Sequence, residues 1–342
     1  MRLSARRAQA LIAVVALTIA AFPRAPHAQS AVIKLATLVP ENSIWDKNLK
    51  QMGEDWRQAT GNRVSLTVFA GGSQGDEPTV LRKIRLGALQ GASLTGVGLA
   101  GIDPAFNVFN IPFFFESDDE LNAVLAKMTP VLQKRVDAKG FVLVHWGHGG
   151  WLQVFTKRPV QTVQDLKGIK LYTSAGDDRM TQWYKANGFQ PRAMAMTDIL
   201  TGLTTNMLEG LPTPAGAAMA FQWYRQTPYM LDIRLAPVVG ATVIAKKAWT
   251  AISEADRVKM TESAAAVEKR LQSDVPKQDA LAVLAMSQQG LKIVKATGPE
   301  WKQEGELLAK TMRGEMVPPD IFDLALKERT LYRQHKAAIA PK

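Results

Sequence analysis

The chain of 342 residues contains no cysteine and only four histidines. The absence of cysteine excludes disulfides, thiolate metal sites, a cysteine nucleophile and a lipid-carrying N-terminal cysteine. Stability must therefore come from packed cores, and a chain of this length and average apolar content has enough residues for two lobes. Beyond the first thirty residues, the sequence also lacks an apolar run long enough to cross a bilayer.

The N-terminus has the three parts of a secretory signal. A basic start with three arginines precedes an apolar run at residues 8–22, and small residues follow at 23–30. The run is short for a membrane anchor, so we expect residues 1–30 to be removed and the product to be exported and soluble. Cleavage after Ser30 leaves small residues at both recognition positions, which makes it preferable to cleavage after Ala28.

The net charge of the full chain is +11. The predicted signal supplies four arginines and no acid, so subtraction leaves +7 for the remainder. These basic residues are spread along the chain, whereas nucleic-acid binding normally uses a clustered basic stripe with interleaved aromatics. We therefore expect an ordinary solvated surface and no nucleic-acid partner.

Buried strands alternate with capped helices along the mature chain. Strands are predicted at 32–38, 63–69, 141–144, 169–173 and 189–194. A repeated strand, helix, strand order favours parallel strands with helices on both faces of a sheet. The sequence predicts an α/β fold with two lobes, each a sheet flanked by helices.

The lobes are expected to share the chain in pieces, because late segments return to the first lobe. A single helix is predicted at 197–208, and another, capped by Ser253, to about 289 with a kink or break at Pro276. The predicted ranges are 31–153 and about 238–285 for the first lobe, 154–237 and about 286–336 for the second, and 337–342 for a tail.

Aromatic residues beside glycines follow the strand predicted at 141–144. The segment 145–151 is His-Trp-Gly-His-Gly-Gly-Trp. Open α/β sheets place ligands beyond the carboxyl ends of their strands, where this loop is expected to lie. Trp146, His148 and Trp151 are therefore candidate ligand contacts.

Two enzyme hypotheses fit the sequence poorly. His145 and His148 have a His-x-x-His spacing, but the segment offers no clear third metal ligand and lacks the helix and intervening glutamate of zinc enzymes. Ser93 lies in Gly-Ala-Ser-Leu-Thr-Gly, which is one residue too long for a nucleophile elbow. No set of residues supplies an acid, a base and a nucleophile. We expect a protein that is not an enzyme and that has no metal or cofactor.

Short motifs follow one another in a fixed order along the mature chain. They include IKLAT at 33–37, SQG at 73–75, IPFFF at 111–115, RPV at 158–160, DLKGIK at 165–170 and LEG at 208–210. Their order and spacing resemble the substrate-binding receptors of tripartite ATP-independent periplasmic (TRAP) transporters. The resemblance implies a type II periplasmic-binding fold, in which each lobe is a mixed sheet flanked by helices and a hinge joins the two lobes. It also implies a small-molecule ligand held between the lobes by closure about the hinge, and delivery to a TRAP-type membrane permease.

The chain departs from the family pattern at two places. Receptors of this kind typically hold an organic acid through an arginine on the strand after DLKG, and the matching residue here is Tyr172. After the LEG motif, Pro212 and Thr213 stand where polar groups are expected. A tyrosine cannot supply the charge that a buried carboxylate requires. The chain is similar in this to a divergent subgroup linked to hydrophobic ligands, in some cases with a helical-repeat periplasmic partner.

We therefore predict a small hydrophobic or aromatic ligand. The predicted contacts are Tyr172, Trp151, Trp146, Glu41, Trp45, Gln74, Phe113, His148, Met194, Glu209, Thr213 and Phe221. In the alternative, Arg179 or Arg192 reaches the cleft from a strand end and holds an organic acid anion by its planar guanidinium.

Overall fold

The computed structural model of the protein describes residues 30–297 and 300–339. The predicted signal, except for Ser30, and the end of the predicted tail lie outside the described residues. Within the described ranges, none of the helices combines the length and the apolar character that a bilayer crossing requires.

Eleven strands form two mixed sheets among the described residues. The strands are β1 (Ala31–Thr37), β2 (Val64–Phe69), β3 (Gly91–Leu94), β4 (Phe141–Trp151), β5 (Gln153–Thr156), β6 (Lys170–Ser174), β7 (Gln190–Met194), β8 (Gly210–Thr213), β9 (Tyr229–Asp232), β10 (Pro237–Ala245) and β11 (Lys292–Lys295).

Helices cover the faces of both sheets. The α-helices are α1 (Ile44–Ala59), α2 (Glu77–Arg85), α3 (Gly96–Ile102), α4 (Asp118–Ala138), α5 (Val163–Lys167), α6 (Asp178–Ala186), α7 (Ile199–Thr204), α8 (Ala215–Ala220), α9 (Lys246–Thr250), α10 (Glu254–Gln288), α11 (Glu300–Met312) and α12 (Pro319–Ile339). Short 3-10 helices lie at Pro104–Asn110, Met196–Asp198 and Trp223–Arg225.

The two sheets define the two lobes. Lobe I contains the five-stranded sheet in the order β2-β1-β3-β10-β4, and lobe II contains the six-stranded sheet in the order β11-β9-β5-β8-β6-β7. β1 pairs in parallel with β2 and β3, whereas β10 runs antiparallel to β3 and β4. In lobe II, β6 is parallel to β7 and β8, and β5 is antiparallel to β8 and β9. The predicted two-lobed α/β fold of mixed sheets is confirmed.

Two adjacent chain crossings join the lobes. One runs from β4 to β5 through Leu152, and the other runs from β9 to β10 through Leu235 and Ala236. The amide of Leu152 donates to the carbonyl of Ala236 at 2.8 Å, and the amide of Leu235 donates to the carbonyl of Leu152 at 2.9 Å. A third connection is the long helix α10, which packs on α1 and β4 in lobe I and on α8 in lobe II.

The predicted helix caps are present. The side chains of Ser43, Ser117 and Ser253 accept hydrogen bonds from backbone N–H groups in the first turns of α1, α4 and α10. At α5, Thr162 and Asp165 form a reciprocal capping box. Each cap satisfies an amide that the helix itself leaves without a partner.

Two predicted elements are wrong in extent. The strand expected at 141–144 continues to Trp151 as β4, because Gly147 pairs with Gly240 of β10 and the ladder runs on through the glycine-rich segment. The single helix expected at 197–208 is instead a 3-10 turn followed by the short helix α7. A break at Pro276 is also wrong, because helix α10 is continuous through that proline.

Candidate functional site

A cavity of about 320 Å³ lies between the two lobes. Lobe I supplies residues that follow β1, begin α2 and surround the end of β3, together with part of β4. Lobe II supplies residues of β6, β8, α6 and the segment that follows β7. The crossing segment at Leu152, Leu235 and Ala236 closes the back of the cavity. The cavity has the position that the two-lobed fold predicts for a ligand site.

Tyr172 lines the cavity from the middle of β6. Its neighbours Leu171 and Thr173 are buried while Tyr172 is half-buried, as strand alternation requires. Burial raises the pKa of Tyr172 to about 12, and the charge of Glu77 across the cavity acts in the same direction. The phenol is therefore neutral at neutral pH and offers one hydroxyl and an apolar ring.

The floor of the cavity on the lobe I side contains the buried carboxylate of Glu77. Its Oε1 accepts a hydrogen bond from the Thr95 amide at 2.6 Å, and its Oε2 accepts one from the Thr95 hydroxyl at 2.7 Å. A methyl group on Gly98 would lie 2.9 Å from Cδ of Glu77, so the turn that begins α3 wraps closely around the carboxylate. Burial raises the pKa of Glu77, while the bonds from Thr95 and Gly98 oppose this shift.

Two further acids line the cavity at helix starts. Asp76 caps α2 by accepting the Thr79 amide at 3.0 Å, and Asp177 caps α6 by accepting the Met180 amide at 3.0 Å. Burial raises the pKa of Asp177. Both carboxyl groups thus have structural partners in their own helices.

Among the described residues, those that line the cavity include no basic side chain that is charged at neutral pH. None of the described residues that line it is a lysine or an arginine. His148 lines it, but burial lowers the pKa of His148 to about 4, so its ring is neutral at neutral pH. The electrostatic character of the site is therefore set by carboxyl groups, hydroxyls and aromatic rings.

Five predicted contacts line the cavity: Tyr172, Trp45, His148, Thr213 and Phe221. Trp45 of α1 donates its indole N–H to the carbonyl of His148 at 2.7 Å, which ties α1 to β4 at the cavity wall. Phe221, after α8, stacks on Trp223 with ring centroids 4.6 Å apart and an interplanar angle of 15°.

Trp146 and Trp151, the two tryptophans of the glycine-rich segment, do not line the cavity, although both were predicted to contact ligand. Trp146 packs in the core of lobe I against Phe106 and Phe109, and its indole N–H donates to the Thr129 hydroxyl at 3.0 Å. Trp151 donates its indole N–H to Asp118 at 3.0 Å. Both side chains are buried, and the pairing of β4 with β10 is irregular opposite this segment, so simple strand alternation does not fix which way each tryptophan points.

Four more predicted contacts lie elsewhere. Glu41 is exposed in the turn before α1. Gln74 is bound to Lys83, which donates to its carbonyl at 2.9 Å and to its side-chain oxygen at 3.1 Å. Phe113 packs against Trp301 of α11 with ring centroids 6.3 Å apart. Met194 packs in the core of lobe II, where its sulfur covers Gly202 of α7.

The remaining predicted residues are the charged ones of lobe II. Glu209 accepts the Lys170 amide at 2.9 Å and so joins the start of β6 to the start of β8. Arg179 is exposed in the first turn of α6 and does not line the cavity. Arg192 is exposed on β7, where it donates to the carbonyl of Pro191 at 3.2 Å. Both arginines are exposed and neither lines the cavity in this structure, so their role in holding an anion stays a prediction.

The sequence interpretation missed the contribution of α6. Met180, Trp183 and Tyr184 of this helix line the cavity. Burial raises the pKa of Tyr184 to about 12, and the Trp183 indole donates to the Thr311 hydroxyl at 2.8 Å. The available signal was the apolar face of a helix that follows the strand of Tyr172, a pattern equally typical of a core helix.

The residues of the enzyme hypotheses are dispersed. His145 is buried in β4, where burial lowers its pKa to about 4, and its Nδ1 is bonded to the carbonyl of Trp146 at 2.9 Å. Within the described part of the chain, no group of three or more histidine, aspartate or glutamate side chains is arranged to hold a metal ion. Ser93 lines the cavity from β3, on the lobe I side.

Comparisons with known proteins agree with this architecture. A model of the family described as "Bacterial extracellular solute-binding protein, family 7" matches residues 35–314. A crystal structure of a TRAP periplasmic solute binding protein from Xanthobacter autotrophicus, with bound β-D-galacturonate, superposes with a TM-score of 0.81 at 17% identity. It covers 87% of this chain and 99% of that one.

Curated relatives match over part of their length. A solute-binding protein of Chromohalobacter salexigens is 25% identical over 228 residues, which are 66% of this chain and 68% of that protein. The 2,3-diketo-L-gulonate-binding periplasmic protein YiaO of Escherichia coli is 22% identical over 183 residues, which are 53% of this chain and 56% of YiaO. The match thus spans little more than half of YiaO.

Proposed function

The chain belongs to bacterial extracellular solute-binding protein family 7, and we propose that it is a periplasmic receptor for a small, uncharged and largely apolar molecule. The observation that carries the choice of ligand is the absence of any lysine or arginine from the described lining of the cavity. In the proposed function, the loaded receptor delivers its solute to a TRAP-type membrane permease.

A buried carboxylate needs a charged or multiply hydrogen-bonding partner. Removing such a group from water without one costs several kcal/mol, more than a single phenol hydroxyl repays. In this cavity an anionic ligand would also meet the carboxyl groups of Asp76, Glu77 and Asp177. With the lining side chains in these positions, repulsion from these carboxyl groups therefore opposes the binding of an organic acid.

Aromatic and aliphatic groups supply the favourable part of the interaction. Rings of Tyr172, Tyr184, Trp183 and Phe221 line the cavity from lobe II, and Trp45 lines it from lobe I. Burying apolar ligand surface against such groups contributes about 25 cal/mol per Å² of area removed from water. The hydroxyls of Tyr172 and Ser93 are among the polar groups of the lining that can orient an uncharged ligand.

Lobe closure is the proposed mechanism of capture. Because both lobes contribute to the lining, a ligand contacts both at once only when the lobes are together. Such a ligand binds the closed form more tightly and shifts the population towards it. The crossings at Leu152 and Leu235, held together by two backbone hydrogen bonds, are the proposed hinge.

An organic acid anion is the second candidate ligand, and a specific observation favours it. Several relatives have names that give an organic acid as ligand, among them β-D-galacturonate for the Xanthobacter protein and 2,3-diketo-L-gulonate for YiaO. For this chain, that candidate requires Arg179, Arg192 or another cation to move into the cavity from its present position. A helical-repeat partner, which some members of the divergent subgroup have, is a further proposal.

Native mass spectrometry of the receptor purified from its own periplasm tests the two candidates directly. Denaturation of the purified complex releases the bound compound for identification. Under the first proposal the released compound is uncharged and largely apolar. Release of a sugar acid or a dicarboxylate would reject that proposal in favour of the second candidate. Chemical conversion of the compound by the purified protein would reject the receptor function itself.

A further inference from the structure

The lobes touch at the mouth of the cavity through a glycine of lobe II. Gly176 follows β6 and has a φ of +101°, a conformation that side chains rarely allow. It faces Pro78, in the first turn of α2 in lobe I. A methyl group at position 176 would lie 2.5 Å from Cγ of Pro78. Carbon atoms that are not bonded approach to about 3.5–4.0 Å, so the contact leaves no room for a side chain.

A second glycine, on the other lobe, borders the same mouth. Gly72 follows β2 and has a φ of +71°. A methyl group there would lie 3.4 Å from Cγ2 of Thr197, in the 3-10 turn of lobe II. The two glycines belong to different lobes and meet different partners, so together they show the lobes in contact at two points.

We propose that Gly176 is a closure residue, whose lack of a side chain allows the lobes to meet at Pro78. The proline ring fixes its own backbone, and its Cγ can move only by the small displacement of a change in ring pucker. The next residue, Asp177, caps α6, and this helix start restrains the backbone on the C-terminal side of Gly176. A side chain at position 176 can therefore be accommodated only by separation of the lobes. The proposal rests on the receptor function for its purpose, whereas the contact itself involves no ligand.

Cysteine cross-linking tests the contact without a ligand. The chain has no cysteine of its own, so Pro78→Cys with Gly176→Cys introduces a single pair of thiols. A Cβ at position 176 would lie 3.6 Å from Cβ of Pro78, within the range of about 3.5–4.5 Å found in disulfides. Oxidation by diamide, which is reduced as the two thiols join, should form the intramolecular disulfide.

A matched control uses another glycine of lobe II. Gly188 also has a positive φ, +83°, but the nearest atom to a methyl group there is Cδ of Lys167 at 3.7 Å. We expect the Pro78→Cys/Gly176→Cys pair to cross-link at least tenfold faster than the Pro78→Cys/Gly188→Cys pair. Equal rates, with the thiols of both variants reactive to maleimide and the fold intact by circular dichroism, would show that the contact does not form in solution.

A second experiment asks whether the missing side chain controls closure. The pair Gly72→Cys/Thr197→Cys serves as the reporter, because it cross-links only when the lobes are together. Adding Gly176→Ala should slow its cross-linking at least tenfold, whereas Gly188→Ala, with the same kind of backbone strain, should leave the rate unchanged. Pro78→Ala removes Cγ and should restore the rate in the Gly176→Ala background.

Two outcomes would overturn the proposal: an unchanged reporter rate in Gly176→Ala, or a slowed rate that Pro78→Ala does not restore. The second outcome would show that the alanine acts by distorting lobe II alone. Because no solute is added, these results are independent of whether the receptor binds an uncharged molecule or an acid. A failure of the proposed ligand class would therefore leave the cross-linking results intact.

Discussion

At the scale of single residues, Tyr172 is the lining side chain on which the proposed ligand class most depends. It lies in the middle of β6 and faces the buried carboxylate of Glu77 across the cavity. Burial raises the pKa of Tyr172 from 10.0 to about 12, so the phenol stays neutral well beyond neutral pH. The side chain therefore contributes shape and one hydroxyl, and no charge.

Tyr172→Arg should create affinity for an acid. A guanidinium at this position can bind a carboxylate through two parallel hydrogen bonds. We expect the affinity for D-galacturonate, measured by isothermal titration calorimetry at low salt, to increase at least tenfold, which corresponds to about 1.4 kcal/mol. Tyr172→Phe, which keeps the ring and adds no charge, is the control and should give no increase. An equal gain in both variants would exclude the charge as the cause.

His148 should make stability depend on pH on the acid side. Burial lowers the pKa of folded His148 from 6.5 to about 4, so between these values the unfolded chain binds more protons than the folded one. The stabilising contribution is complete above pH 6.5 and is lost as the pH falls towards 4, by roughly 3 kcal/mol for a shift of this size. Urea unfolding from pH 7 to pH 4 should show a smaller fall in the free energy of unfolding for His148→Gln than for the wild type. An equal fall in both proteins would contradict this prediction.

At the scale of elements, the turn that begins α3 depends on glycine at one position. A methyl group on Gly98 would lie 2.9 Å from both Cδ of Glu77 and Cδ2 of Leu94. Gly98→Ala should therefore lower the free energy of unfolding by about 1–3 kcal/mol, as overpacking does.

Gly101→Ala is the control on the same helix. Its methyl group would meet only the mobile end of Leu81, at 3.0 Å. The change should be neutral or should stabilise by up to about 1 kcal/mol through helix propensity. Thermal and urea denaturation of the two variants measure the difference, and equal effects would show that the packing around Glu77 is not tight.

Elements specified by local signals could be predicted from the sequence. The serine and threonine caps were predictable because a cap needs only a few neighbouring residues. The parallel pairing of β1 and β2 followed from a strand, helix, strand order. The length of β4 could not be predicted, because its glycines remain in the strand only through pairing with β10, far along the chain.

The cavity lining was predictable only in part, because it too depends on contacts between segments that are far apart along the chain. Tyr172 was identified by its position after the DLKG motif, which is a local signal. Trp146 and Trp183 could not be distinguished by sequence, since each is a buried tryptophan with a satisfied indole N–H. Trp183 borders the cavity and Trp146 fills the core. Only the packing of elements around each one decides which of them faces ligand.

At the scale of the whole molecule, binding and lobe closure are one equilibrium. A ligand that binds only the folded form raises its stability by about 2.7 kcal/mol at one hundred times the dissociation constant. We expect thermal unfolding to show such a gain with an uncharged aromatic probe such as phenylacetamide, and a smaller one with its anionic counterpart phenylacetate at the same concentration. A larger gain with phenylacetate would contradict the electrostatic argument.

In the proposed function, the closed cavity holds its solute without a cation. A crystal structure of the receptor with the compound that it carries from the periplasm is the decisive experiment. We expect an uncharged molecule packed against Tyr172 and the aromatic rings of lobe II, with no lysine or arginine within hydrogen-bond distance. A bound carboxylate gripped by a guanidinium, whether from Arg179, Arg192 or another residue, would contradict it.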